Sequence, residues 1–332
     1  MRPRIELDDD VLRRNARRWR EHAGVPVWAV VKADGYGWGA VRLMRVLEED
    51  VAGFFLADAD EARRVRGITR RPIALLAEAP LDQTAGLLDD GVIPNVASLE
   101  SLAAAAGWAS GRGRRARIRV GIVPAAGWSG LLADAIEPFA RAAAALPVDI
   151  ELWTHLTVPE LWPSQLERFN AARKRFVSAG VNVAGIDVAG SLAAAARPQS
   201  GDSLVRIGIG LFGAFGEGLE CAVRIDAPVT GVLRSDSVPS AGYRLPERVS
   251  KPWLAIVRSG YSDGLSLRLA GTNNIVSIGM QYAVLARNEP ERVGQTLRLL
   301  DTSSNLCMFL ENTGISPHEF IVGLRHTEAE RL

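Results

Sequence analysis

The sequence predicts an α/β fold: a (β/α)8 barrel followed by a C-terminal all-β domain. Two observations predict it. Over about the first 215 residues, short apolar runs alternate with helix-like runs, making about eight strand-then-helix units. Beyond about residue 217 the alternation stops, and strand-like runs follow one another with turn-rich pieces between them. Eight such units are what a closed parallel barrel requires. An open doubly wound sheet is the alternative, but it often places a glycine fingerprint after its first strand, where this chain has Lys32 and Tyr36. The implied division is a barrel over 8–216 and a β-domain built from 1–7 and 217–332.

Taken in order, residues 5–7 alternate as a short strand, and the acidic run 8–10 caps an amphipathic helix over 11–22. The apolar run 27–31 is a buried strand that ends in Lys32 and a glycine-rich turn. Strands then fall at 53–57, 73–77, 92–96, 117–123, 150–156, 183–188 and 204–212. The one at 92–96 is weakened by Pro94, which has no N–H for a ladder. Helices fall at 60–65, 81–88, 99–106, 131–145, up to about 178, and 192–196. In the second domain the strand-like runs are 222–225, 230–233, 253–257, 275–278 and 296–300, with a turn at 238–242 and a last helix over 317–325. The expected form there is a small barrel or sandwich.

Composition narrows the function. The 332 residues carry 39 basic and 38 acidic side chains, a formal net charge of +1, which argues against nucleic-acid or membrane-surface binding. No apolar run is long enough to span a membrane and no signal core follows Met1, so a cytoplasmic location is expected. The two cysteines, Cys221 and Cys307, form neither a metal pattern nor a disulfide framework. No metal is expected.

Catalytic groups of a parallel barrel collect at the C-terminal strand ends. Lys32 ends the first strand, His155 the sixth, Ser191 follows the seventh, and Arg206 lies on the eighth with Gly208 and Ile209 beyond it. A lysine at the mouth of a buried strand loses hydration, which favours the neutral amine, a nucleophile for carbonyls. Ser191 with nearby backbone N–H groups can hold an anion. Each also has a bland reading, as a snorkelling lysine, satisfied core polar residues or an ordinary helix cap.

The run from Val30 to Gly39, VVKADGYGWG, resembles the pyridoxal-phosphate lysine motif of the alanine racemase family. Four further segments are similar to that family's motifs and run in its order: Trp153 to Leu156, Gln165 to Phe169, Leu204 to Ile209, and Val257 to Gly264. The resemblance implies a dimeric amino-acid racemase with shared active sites, acting on a small-molecule amino acid. Lys32 would carry pyridoxal 5′-phosphate, with Ser191, Gly208, Ile209 and Tyr36 on its phosphate. Arg206 would face the pyridine nitrogen, supported by His155. Tyr261, from the partner subunit, would be the second base, with Lys32 as the first. Met280 would touch the substrate.

The chain also departs from the family pattern. Arg119 stands where the family has a lysine that is often carbamylated, and Trp128 or a neighbour where it has a carboxylate-binding arginine. Gln281 replaces an aspartate, Gly190 an asparagine, and His318 the tyrosine that reaches the cofactor phosphate. Changes on the substrate side, Trp128 among them, point to an altered substrate or reaction. The competing readings are therefore a decarboxylase or lyase on an amino acid, and a non-catalytic cofactor-binding protein.

Overall fold

The computed structural model describes residues 2–196, 201–240 and 249–325. It divides into two compact units, Ala16–Gly210 and, from both ends of the chain, Met1–Asn15 with Leu211–Leu332. The divide falls inside the first helix, Asp9–Ala23, and just before Leu211, against 8 and 216 in the sequence reading.

The second of these, named the outer unit because it takes in both ends of the sequence, begins with strand β1 (Arg4–Leu7). The larger unit holds eight parallel strands: β2 (Val27–Val30), β3 (Gly53–Leu56), β4 (Ile73–Glu78), β5 (Val92–Asn95), β6 (Ala116–Gly121), β7 (Val148–Trp153), β8 (Val183–Asp187) and β9 (Val205–Ile207). They pair in the order β8-β7-β6-β5-β4-β3-β2-β9, and a parallel bridge from Gly190 to Arg206 brings the two ends together. This is the barrel that the alternation of runs predicts. Pro94 sits inside β5 even so. The ladder gives way around it: β5 meets β6 only at Asn95, and its register against β4 shifts between Ala74 and Glu78.

One side of the barrel interior is apolar, with Trp28, Val30, Phe55, Ala74, Ile93 and Leu204 in a single cluster. Gly53 has to be glycine there, since a Cβ would lie 2.5 Å from the Trp28 ring. On the other side, β6 to β9 bury charged residues instead: Arg119, Glu151, Asp187 and Arg206.

One helix boundary and one strand boundary differ from the sequence reading. The helix expected over 131–145 begins only at Ile136, because Leu131 donates its N–H to the Gly121 carbonyl and bridges to Ile122. The strand expected over 204–212 stops at Ile207, and a 3-10 turn takes over from Ile209.

In the outer unit β1 pairs with β10 (Val223–Arg234), which is one long strand where the sequence suggested two. Its register breaks between Val229 and Gly231, beside Pro228. β11 (Trp253–Val257), β12 (Ile275–Ile278), β13 (Ala283–Arg287) and β14 (Thr296–Leu300) complete a six-stranded antiparallel sheet. β13 was not expected; Ala283 and Ala286 make its alternation weak to the eye. The expected turn at 238–242 lies partly outside the described residues. The last helix is Pro317–Gly323.

Candidate active site

Lys32 leaves β2 into one turn of left-handed backbone. Ala33, Asp34, Gly35 and Tyr36 have φ of 54, 50, 62 and 61°. For a side-chain-bearing residue this conformation costs roughly 1–2 kcal/mol, so the surrounding structure has to impose it. Gly35 N donates to Val31 O at 2.9 Å and Gly39 N to Asp34 O at 2.8 Å. Asp34 Oδ1 accepts from Ala40 N, and Glu61 accepts from both Asp34 N and Ala57 N. The reversed hand leaves Ala33 and Asp34 exposed and turns Tyr36 into the interior. Burial pushes the Tyr36 phenol well above its ordinary pKa, so it stays protonated and able to donate.

Lys32 itself is half-buried. Loss of hydration lowers the pKa of its amine, the positive charge of Arg206 lowers it further, and Glu61 opposes both. This is the environment that a carbonyl-trapping lysine needs.

β2 and β9 are neighbours in the barrel, with Trp28 opposite Arg206. Gly208, just past β9, therefore comes beside the turn that follows Lys32, and a Cβ on Gly208 would fall 2.0 Å from the Tyr36 hydroxyl. Ser191 Oγ accepts from Gly208 N and Gly210 N, each at 3.2 Å. One phenol, one hydroxyl and two backbone N–H groups thus lie together at these strand ends, donor types that suit an oxyanion or a phosphate. Ile209, named from the sequence, lies between these two donors. Gly210 was missed, although its alternation with Gly208 was visible in Ile207-Gly208-Ile209-Gly210.

Arg206 is 3% exposed. Its Nη2 donates to Thr154 O at 2.5 Å, its Nε lies 2.7 Å from Asp187 Oδ1 as an ion pair, and its guanidinium carbon sits 4.9 Å from the centroid of the Trp153 ring. Burial lowers its pKa while Asp187 raises it. Asp187, Thr154 and Trp153 are thus partners of Arg206 that the sequence reading did not assign to it.

His155, expected to support Arg206, stacks on Trp128 with ring centroids 4.3 Å apart and planes at 19°. A Cβ at Gly190 would come within 2.7 Å of the same imidazole. Two departures from the family pattern, Trp128 and Gly190, thus meet at one ring. The loop that carries Trp128 is pinned where Gly130 comes against Gly121, so closely that a Cβ at 130 would lie 2.5 Å from the Gly121 carbonyl oxygen.

Tyr261, Met280 and His318 lie in the outer unit, 44%, 59% and openly exposed in turn. Tyr261 opens a 3-10 turn, Tyr261–Asp263. The turn is clamped to the segment after β12 by Tyr261 N to Gly279 O and Ser262 N to Met280 O. Gly260 allows this approach, since a Cβ there would lie 2.4 Å from Gly279 O. Asp263 Oδ2 accepts from Gly260 N and from Arg258. His318 stands in the first turn of Pro317–Gly323, after the Ser316 cap. Among the described residues no group of three or more His, Cys, Asp and Glu could hold a metal ion, and no helix is long and apolar enough to cross a membrane.

The family model for the alanine racemase N-terminal domain matches residues 7–215. The alanine racemase of Mycolicibacterium vanbaalenii is 31% identical over 310 residues, covering 86% of this chain and 78% of that one. That of Beutenbergia cavernae is 30% identical, over 85% and 80%. Among solved structures, the alanine racemase of Streptomyces lavendulae superposes with a TM-score of 0.79 at 22% identity, over 98% of this chain and 95% of that one. The Bartonella henselae enzyme, solved with covalently bound pyridoxal phosphate, gives 0.77 at 20% identity, over 98% and 97%. The chain belongs to the alanine racemase family, a family of pyridoxal-phosphate-dependent amino-acid racemases.

Proposed function

We propose that this protein inverts the α-carbon of a small amino acid, alanine as in its relatives, with Lys32 and Tyr261 as its two bases. One juxtaposition carries the reading. Lys32 and the Ser191–Gly208–Gly210 cradle stand at the C-terminal ends of neighbouring strands, with the Tyr36 hydroxyl between them in the space that Gly208 leaves open. These residues fit pyridoxal 5′-phosphate: an amine of lowered pKa for its aldehyde, a ring of donors for its phosphate, and a buried arginine for its ring nitrogen.

When bound, the cofactor draws electrons from the substrate α-carbon and so makes the α-proton removable. Lys32 holds the cofactor and then moves the proton on its own face. Arg206 keeps its proton and so leaves the ring nitrogen without one. Tyr261 of the partner subunit serves the opposite face, so that removal on one side and return on the other inverts the centre. The assembly is accordingly a homodimer. Its support is that Tyr261, Met280 and Tyr282, at 44%, 59% and 45% exposure, stand together uncovered on a single chain. By the family resemblance, Trp128 and Met280 would serve the substrate, and His155 and His318 the cofactor. We place the protein in the cytoplasm.

The named relatives are all racemases, which favours this reading over a decarboxylase or lyase. The test is to incubate the protein, pyridoxal phosphate and L-alanine in deuterated water. The expected product is D-alanine with deuterium at the α-carbon. Loss of carbon dioxide or release of an aldehyde would assign another reaction. Binding of the cofactor without exchange into any amino acid would assign a carrier.

A further inference from the structure

The buried charges of β6 to β9 form a ladder across the barrel interior. Arg117, half-exposed at the outer end, pairs with Glu151. Glu151 Oε2 accepts from Arg119 Nη1 at 3.2 Å, and Asp187 Oδ2 accepts from Arg119 Nη2 at 2.6 Å. Asp187 Oδ1 then lies 2.7 Å from Arg206 Nε. Arg119 is 0% and Asp187 1% exposed. Three aromatic contacts hold the two arginines in place: Arg119 over Phe55 and Trp153, and Arg206 over Trp153. Trp153 is in turn fixed by its indole N–H on Asn95 Oδ1 at 3.0 Å.

Such a ladder is poorly explained by stability. Burying paired charges is expensive, and well-packed apolar residues of similar volume often serve as well or better. The opposite half of the same interior is built in just that apolar way. Two members of the ladder lead to the cradle: Asp187, whose strand runs on towards Ser191, and Arg206, whose strand runs on into Gly208.

We propose that Asp187, held in turn by Arg119, is the positioning residue that fixes the Arg206 guanidinium toward the ring nitrogen of the bound cofactor. The proposal rests on the cofactor reading above and deepens it. In this chain Arg206 is oriented by the Asp187 carboxylate and the Thr154 carbonyl, and Asp187 is held in turn by Arg119, which stands where the family has a lysine. Asp187 neutralises Arg206 on the Nε side, while Nη2 is fixed on the Thr154 carbonyl. It also keeps Arg206 a weak acid, because loss of its proton would leave the carboxylate with less compensation.

The test compares two probes on the cofactor-free protein: pyridoxal 5′-phosphate and its 1-deaza analogue, in which carbon replaces the ring nitrogen. Affinity is read from the absorbance of the lysine adduct, without any turnover. The native protein is expected to prefer the nitrogen form by about tenfold or more, the worth of one charge-assisted hydrogen bond. Asp187→Asn is expected to bring the two affinities to within about threefold of each other, and Arg119→Gln to shrink the preference part-way. A merely structural role would weaken both probes alike and leave their ratio unchanged, and that result would overturn the proposal. If Asp187→Asn does not melt cooperatively, Arg119→Gln carries the comparison alone, since it leaves the Asp187–Arg206 pair in place. Native protein that binds both probes equally would overturn the proposal while sparing the cofactor site. Native protein that binds neither would refute the cofactor reading itself.

Discussion

The Tyr36 hydroxyl occupies the place of the side chain that Gly208 lacks, 2.0 Å from where its Cβ would stand. The turn after β2 and the turn after β9 are thus fitted to each other at one atom. Gly208→Ala is expected to cost roughly 1–3 kcal/mol by overpacking and to lower cofactor affinity about tenfold or more, through the disturbed cradle. In a Tyr36→Phe background the same change is expected to cost measurably less, because the clashing oxygen has gone. Denaturant melts of the four proteins in this cycle check it. Equal costs in both backgrounds would show that the two turns are not coupled in this way.

The left-handed turn itself predicts an asymmetry between neighbours. Ala33→Gly is expected to leave stability unchanged or raise it by up to about 1 kcal/mol, relief of αL strain outweighing the entropy of glycine. Gly35→Ala is expected to destabilise by about 1–2 kcal/mol or more, since its φ is +62° and a Cβ would lie 3.0 Å from Ala40 N. Urea titration of the cofactor-free protein measures both, and a reversed order would contradict the backbone described.

Lys32 sets a pH dependence. Its amine has a lowered pKa, through burial first and Arg206 second, so the rate at which cofactor-free protein takes up pyridoxal phosphate should reach half its maximum below the ordinary lysine value of about 10.4. Glu61 raises the pKa, so Glu61→Gln should move that midpoint lower still. Stability carries the same sign. Between the native and ordinary values the unfolded chain binds a proton at Lys32 that the native chain disfavours, so this residue's contribution improves as pH rises through that window. Stopped-flow uptake across pH checks the first statement and melts across pH the second.

Tyr261 separates binding from inversion. Tyr261→Phe is expected to take up the cofactor with an unchanged spectrum and to lose inversion by about 10²-fold or more. Deuterium exchange with retained configuration would remain, driven by Lys32. Racemisation at the native rate would remove Tyr261 from the mechanism.

Much of this architecture could be read from the order of residues. The barrel was legible because each strand is a short buried run followed by an amphipathic one, a local signal repeated eight times. Lys32, Ser191 and Arg206 were legible because a polar group at the end of such a run has a cost that position alone reveals. The handedness of the turn after Lys32 was not, since Ala33 disfavours positive φ and Asp34 only tolerates it; the bonds to Glu61, Ala40 and Val31 hold it. In the sequence Asp187 reads only as one residue of the strand over 183–188, because its meaning lies in Arg119 and Arg206, 68 and 19 positions away. Trp128 and Gly190 were each seen as departures, yet only folding shows that they grip the same imidazole.

The most direct measurement is to load the protein with pyridoxal phosphate, reduce it with borohydride and map the fixed group by mass spectrometry. The chain has only three lysines, Lys32, Lys174 and Lys251, so the assignment is clear-cut. The account predicts the pyridoxyl group on Lys32 alone. Its appearance on Lys174 or Lys251 instead, or on no lysine at all, would contradict it.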